Sequence, residues 1–236
     1  MTYTPLSLYR KNLAALAMKT RLLLGDPAGE RWSDARVIEA INFAVLEFAI
    51  ETECIKDEVE IRLLVNFWSY DIKEAVEQNA ALNPFGWPLR IGYNGTASPA
   101  LKPISSHVVD RAGIDRSGTG TVNRFHMDML SYGEIGVLPL PSSDGAVLPS
   151  DVGNLQVTYV GMPDQMTLNT DFPDNSIQAM YHQYIPYMAA CLLLEEGDEE
   201  DLAMAIAYES NFKSGCYENV GDQYAGQTGY ADMRPM

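Results

Sequence analysis

Apolar residues recur at helical spacing over residues 7–24, where Leu8, Leu13, Leu16, Ala17 and Leu23 share a face and Gly25-Asp26-Pro27 stops the run. A first helix is predicted there. After Trp32, Ser33 or Asp34 can accept hydrogen bonds from exposed helix amides, and Val37, Ile38, Ile41, Val45 and Phe48 fall on one face, which predicts an amphipathic helix over 34–53. Near Asp57 the period shortens to two. Val59, Ile61, Leu63 and Val65 alternate with Glu58, Glu60, Arg62 and Leu64, ahead of the aromatic run Phe67, Trp68 and Tyr70, so a strand begins here. Residues 83–163 are punctuated by Asn83-Pro84, Gly86-Trp87-Pro88, Asn94-Gly95, Gly118-Thr119-Gly120 and Pro139-Leu140-Pro141. Between these turns lie β-like pieces at 89–93, 121–128, 133–138 and 154–160. Helical spacing returns after Asp174, with Asp174 or Ser176 as cap, Ile177, Met180, Tyr181 and Tyr184 on the apolar side and a dense apolar run over 187–194. Pro186 is expected to kink this segment. The acidic stretch 195–201, broken by Gly197, reads as a hinge before a last helix over about 200–217 carrying Ala203, Ala207, Tyr208 and Phe212.

Two helices, a β-rich stretch and two more helices predict an α+β fold, with the outer helices packed as one bundle and the β module inserted between them. The expected parts are 1–57 and 166–217 for the bundle, 58–165 for the insertion, and 218–236 for an extended C-terminal arm. Past Gly215 no apolar period remains, yet Tyr217, Tyr224 and Tyr230 are spaced along the tail in a form suited to ordering against a partner. Nineteen residues at full extension span about 60 Å.

Charge sharpens this picture. The chain has 236 residues and a formal net charge of −16, a balance that repels nucleic-acid phosphates and anionic lipid. Residues 1–36 hold six Lys/Arg against three Asp/Glu, residues 37–163 eight against sixteen, and residues 164–236 two against thirteen. A basic leading end and an acidic trailing end suit head-to-tail contacts between copies, and they equally describe a solvated acidic surface. Cys54, Cys191 and Cys216 are odd in number and far apart, which argues against a disulfide framework and a zinc site and for folding in a reducing cytoplasm. No membrane span or signal peptide is expected.

Little in the chain points to catalysis, and no enzyme, cofactor or metal is expected. His107, His126 and His182 stand alone, without a carboxylate or cysteine at ligand spacing. Gly118-Thr119-Gly120 lacks the Lys-Ser/Thr of a phosphate loop and reads as a turn. Thirty-two carboxylates guarantee chance Asp/Glu pairs, which neither support nor remove a glycosidase dyad. Aromatic residues at Phe67, Trp68, Tyr70, Phe85 and Trp87 can build a core or a platform. The segment Phe85-Gly86-Trp87-Pro88 is the best candidate for an exposed contact loop.

Certain strings resemble the head-to-tail connector, or adaptor, proteins of tailed bacteriophages. They are Arg31-Trp32-Ser33-Asp34 leading into Ile38-Glu39-Ala40-Ile41-Asn42-Phe43-Ala44, then 155–163 (LQVTYVGMP), 168–174 (LNTDFPD) and 192–199 (LLLEEGDE). The resemblance lies in both helical flanks, and residues 75–150 add little. It implies a non-catalytic virion protein at the head–tail junction, folded in the bacterial host cytoplasm. Such proteins form a ring, typically of twelve copies, that binds the portal protein on one side and tail or nozzle proteins on the other. DNA passes through without specific binding, and no membrane is involved. On that footing Tyr217, Tyr224, Tyr230 and Arg234 are candidates for a portal-binding arm. Lys11, Lys19 and Arg21 are candidates for the ring interface, and Phe85 and Trp87 for a tail-contact loop. Glu195, Glu196, Asp198, Glu199, Glu200 and Asp201 are candidates for an acidic surface facing the channel. The alternative is another tail or receptor-binding protein whose β module holds carbohydrate through Trp68 and Trp87.

Overall fold

Local signals set the helices. The Asn12 side chain accepts the Ala15 amide at 3.0 Å and opens α1 (Leu13–Leu23), and the Ser33 side chain accepts the Arg36 amide to open α2 (Asp34–Thr52). In the computed structural model, residues 10–93, 100–105, 118–127, 131–144 and 153–228 are described, with side chains as far as Tyr224. The chain divides into two compact units, Met1–Ile55 with Pro163–Met236, and Lys56–Met162.

The first unit is helical. Besides α1 and α2 it contains a short 3-10 turn (Ala179–Gln183), α4 (Ile185–Leu194) and α5 (Glu199–Thr228), while α3 (Ile72–Glu77) belongs to the second unit. Helix α4 is almost wholly apolar and packs against α1, α2 and α5, which makes it the centre of the bundle. Phe48 of α2 meets Tyr181 at 6.1 Å and Phe212 of α5 at 6.0 Å between ring centroids. Leu13, Leu16, Ile41, Ile185 and Leu194 complete this core.

Two expectations about these helices are corrected. Pro186 does not kink a helix; it occupies the first turn of α4, where its missing N–H costs nothing and its fixed φ suits the start. Nor does the last helix end near residue 217: α5 continues to Thr228, so residues 218–228 of the expected arm are helical, and 229–236 lie outside the described residues. The reason is polar. Beyond Phe212 and Cys216, Asn219 is buried, and the Gln223 side chain donates to the Thr52 carbonyl at 3.1 Å. The Tyr184 hydroxyl donates to Glu218 at 2.9 Å and the Tyr181 hydroxyl to Asp222. Gly215 ends nothing either: a Cβ there would lie 2.3 Å from the Tyr184 ring, so glycine is what lets that ring lie on the helix backbone.

The 31–44 and 168–174 strings quoted above as part of the resemblance act as joints of this bundle. The Asp26 carboxylate accepts the amides of Glu30, Arg31 and Trp32, and the Asp171 carboxylate those of Thr167 and Leu168. The Asp171 and Asn169 carbonyls accept the Leu13 and Ala14 amides at the start of α1. The Asn42 side chain both donates to and accepts from the Met166 backbone, tying α2 to the returning chain. Each joint satisfies backbone groups that no helix or strand ladder reaches.

The second unit is β-rich. A three-stranded antiparallel sheet has the order β1 (Lys56–Arg62), β9 (Asn154–Gly161), β3 (Phe85–Tyr93), with Val59 opposite Val157 and Ile61 opposite Leu155. A second sheet has the order β2 (Ser69–Asp71), β7 (Glu134–Leu138), β6 (Arg124–His126), β4 (Lys102–Pro103), and β5 (Thr119–Gly120) pairs in parallel with β8 (Leu140–Pro141). Val59, Ile61, Leu63, Ile135, Val157 and Tyr159 belong to one buried cluster. Strand β1 stops at Arg62, and the expected alternation does not carry on to Val65, which is exposed. Asn94-Gly95 and His107 lie outside the described residues.

Candidate assembly surfaces

Catalytic chemistry finds little support in the groups that could have carried it. Burial pushes the Cys191 and Cys216 thiols up to about 12, so both stay protonated at neutral pH. His182 is buried and accepts the Lys11 amide at Nδ1 (3.2 Å), while its Nε2 lies 3.1 Å from the Ile177 carbonyl. Burial lowers its pKa, so the ring is a neutral structural link. Among the described residues no group of three or more His, Cys, Asp or Glu side chains could hold a metal ion, and no helix is long and apolar enough to cross a membrane.

What the fold does offer is exposed apolar surface, of which three stretches bear on assembly. The first is a turn in the β unit, where Leu64, Val65, Phe67 and Trp68 are all exposed. This turn is held firmly. The Tyr70 hydroxyl accepts the Leu64 amide at 2.9 Å and bonds the Leu64 and Phe67 carbonyls, Asn66 takes a left-handed φ of 58° and donates its amide to the Pro141 carbonyl, and Asp144 accepts the Val65 amide at 2.7 Å. The Trp68 ring stacks on His126 at 5.8 Å. Alternation alone missed this tip, because the run from Val59 to Trp68 reads as one apolar strand. The turn residue Asn66 was the available signal.

The second surface is on α1, where Met18, Lys19 and Leu22 point outward. The third is on α5, where Leu202, Ile206, Tyr217 and Tyr224 fall on one face at helical spacing over about 33 Å. Lys213 sits within that stripe and is tied to Glu209 at 2.5 Å.

The fold sorts the residues singled out in the sequence. Tyr217 and Tyr224 are exposed on a helix, while Tyr230 and Arg234 lie outside the described residues. Lys19 is exposed and makes no ion pair among the described residues. Lys11 is exposed at the start of α1. Arg21 is not an open interface cation, because its side chain is 12% exposed, bonds the Trp32 carbonyl and pairs with Asp26 and Asp34. Asp26 is held below the usual carboxylate range: its burial opposes ionisation, but the three backbone amides and Arg21 outweigh it.

The acidic stretch is likewise largely committed within the bundle. Asp201 is buried, pairs with Arg31, and is held below the usual carboxylate range by that hydrogen bond despite its burial. Glu196 pairs with Arg36 at 2.5 Å, and Asp198 accepts the Glu200 and Asp201 amides as an N-terminal cap of α5. Glu195, Glu199 and Glu200 are exposed, with no ion pair among the described residues. Phe85 and Trp87 do not form a contact loop. They lie in β3 opposite Gly161 and Val160, Phe85 is 7% exposed, and register shifts let the edge strand accommodate Pro88. Trp68 and Trp87 belong to different parts of the β unit, Trp68 leading into β2 and Trp87 lying in β3. The groove beside Trp68 is otherwise lined by His126, Leu138 and Leu140, which offers few groups to hold a sugar.

Outward apolar faces on rigid elements are the kind of surface that partners cover. No curated protein matches this chain. The family model for the SU10 adaptor protein matches residues 11–232, nearly the whole chain and both units. The chain therefore belongs to the SU10 adaptor protein family and is a phage structural protein.

Proposed function

We propose that copies of this chain assemble into a ring, twelve in number as the family resemblance implies, that joins the portal of the phage head to the tail and leaves a channel for DNA. The observation that carries this reading is the outward stripe of α5 in a chain matched by the adaptor family over residues 11–232. Exposed aromatic residues on a rigid helix lose little entropy on binding and serve well as anchors. The portal-facing element is the C-terminal half of α5, with Tyr217 and Tyr224 on its face. Tail or nozzle proteins meet the Leu64–Trp68 tip, which takes the place of Phe85 and Trp87 in that role. DNA slides rather than binds, because a chain of net charge −16 does not grip phosphates, and Glu200 is an exposed carboxylate suited to that surface. The virion is its site of action.

Sedimentation with purified portal rings of the same phage tests the portal contact. Tyr217→Ala with Tyr224→Ala should weaken binding by at least about tenfold, the cost of removing two anchors at a protein interface. Unchanged binding by the double variant would remove α5 from the portal contact.

A further inference from the structure

Two of the bundle's exposed faces complement each other. Residues 10–23 carry Arg10, Lys11, Lys19 and Arg21 and no acid, and the outward side of α1 adds Met18 and Leu22, which are 66% and 60% exposed. Those two border a shallow groove of about 320 Å³ whose far side is formed by His182 and Pro186. On the first half of α5, Glu199, Leu202, Ile206 and Glu209 follow at steps of three, four and three residues, which places them on one side of the helix. Leu202 and Ile206 are exposed there, Ile206 at 65%. Each face runs about 15 Å along its helix. One is cationic and apolar, the other acidic and apolar.

We propose that these faces are the two sides of one contact between neighbouring copies, with the first half of α5 in one chain seated on the α1 groove of the next. This inference rests on the ring reading and names its interface. Lys19 meets Glu199 of α5, Glu209 being tied to Lys213, and Leu202 and Ile206 cover Met18 and Leu22. The occupant is a second copy because charge selects it. Pairing α5 with α5 sets acid against acid, pairing α1 with α1 sets cation against cation, and only the mixed pairing is attractive. A contact between two different patches of the same chain is heterologous, the type that closes into rings. Arg21, drawn inward by Asp26 and Asp34, takes no part.

Two surface variants test the pairing, both checked for native helix content and melting. Leu22→Asp disables the α1 face, and Ile206→Asp disables the α5 face. At a concentration where the wild-type chain is multimeric, alone or on portal rings, each variant alone should lose self-association by at least about tenfold. Mixed together they should form a one-to-one dimer and nothing larger, since each supplies the face the other lacks. Wild-type assembly by either variant alone, or a mixture that stays monomeric, would overturn the pairing. A wild-type chain that remains single both alone and with portal rings would overturn the ring reading itself, and the pairing with it.

Discussion

The two units solve the problem of holding a chain together in different ways. The β unit is one continuous stretch, Lys56–Met162, whose strands share an apolar cluster centred on residues such as Ile135, Val157 and Tyr159. The helical unit is assembled from pieces more than a hundred residues apart and relies on polar joints: Asn42 with Met166, Arg31 with Asp201, Gln223 with Thr52. In the β unit four of the exposed apolar residues gather at one rigid tip, with Leu89 and Tyr132 exposed apart from it. In the helical unit most of them line helix faces, Leu168 and Phe172 excepted. The difference teaches that the bundle's charges largely hold its own pieces together, and that its partner surface is what remains after they are paired.

The sharpest way to break this contrast is in the bundle centre. Phe48 is fully buried between Tyr181 and Phe212, and Phe48→Ala should lower unfolding free energy by about 3–5 kcal/mol. Urea titration checks it, and a change under about 1 kcal/mol would mean the helical unit lacks the shared core described here.

Gly215 tests whether the tail is truly part of the bundle. Alanine favours helices over glycine by about 1 kcal/mol, so Gly215→Ala would stabilise a free helix. Against the Tyr184 ring it should instead cost about 1–3 kcal/mol. Stabilisation would return residues 215–228 to the role of a loose arm.

Acid should act on the helical unit through His182. Its pKa is lowered by burial, so between that value and the ordinary one near about 6.5 the unfolded chain binds more protons than the folded one. The His182 contribution is therefore complete above about pH 6.5 and declines as pH falls toward the folded value. His182→Gln should remove that decline while leaving the separate loss at lower pH, where Asp171 and Asp201 take up protons. A melting profile flat from pH 7 to 5 in the native chain would contradict the buried neutral imidazole.

The smallest stability effect belongs to the tip. Phe67→Ala should change folding stability by no more than about 0.5 kcal/mol, because the ring is half exposed, while abolishing capture of tail proteins. Loss of folding with intact capture would reverse the roles assigned to tip and core.

Much of this architecture was legible from spacing. Ser33 and the face of Val37, Ile41, Val45 and Phe48 gave α2 because those apolar positions are the ones it buries. Val59 and Ile61 likewise revealed β1. The end of α5 was illegible for a physical reason: its inward positions continue as Cys216, Asn219 and Gln223, a helical period kept by polar side chains that a count of apolar residues ignores. Charge was misread in the same way. Arg21 and Asp201 looked like surface charges in composition, but their partners, Asp26 and Arg31, are both set by the turn between α1 and α2. The tip at Leu64–Trp68 was visible as an apolar run whose aromatic residues suit a core or a platform, and its exposure follows from Asn66 turning the chain.

The most direct test of the account is solution mass, measured by light scattering after size exclusion, for the chain alone and mixed with portal rings from the same phage. The account predicts a large complex with many copies bound per portal ring. A folded chain that elutes as an unbound monomer in both samples would contradict it.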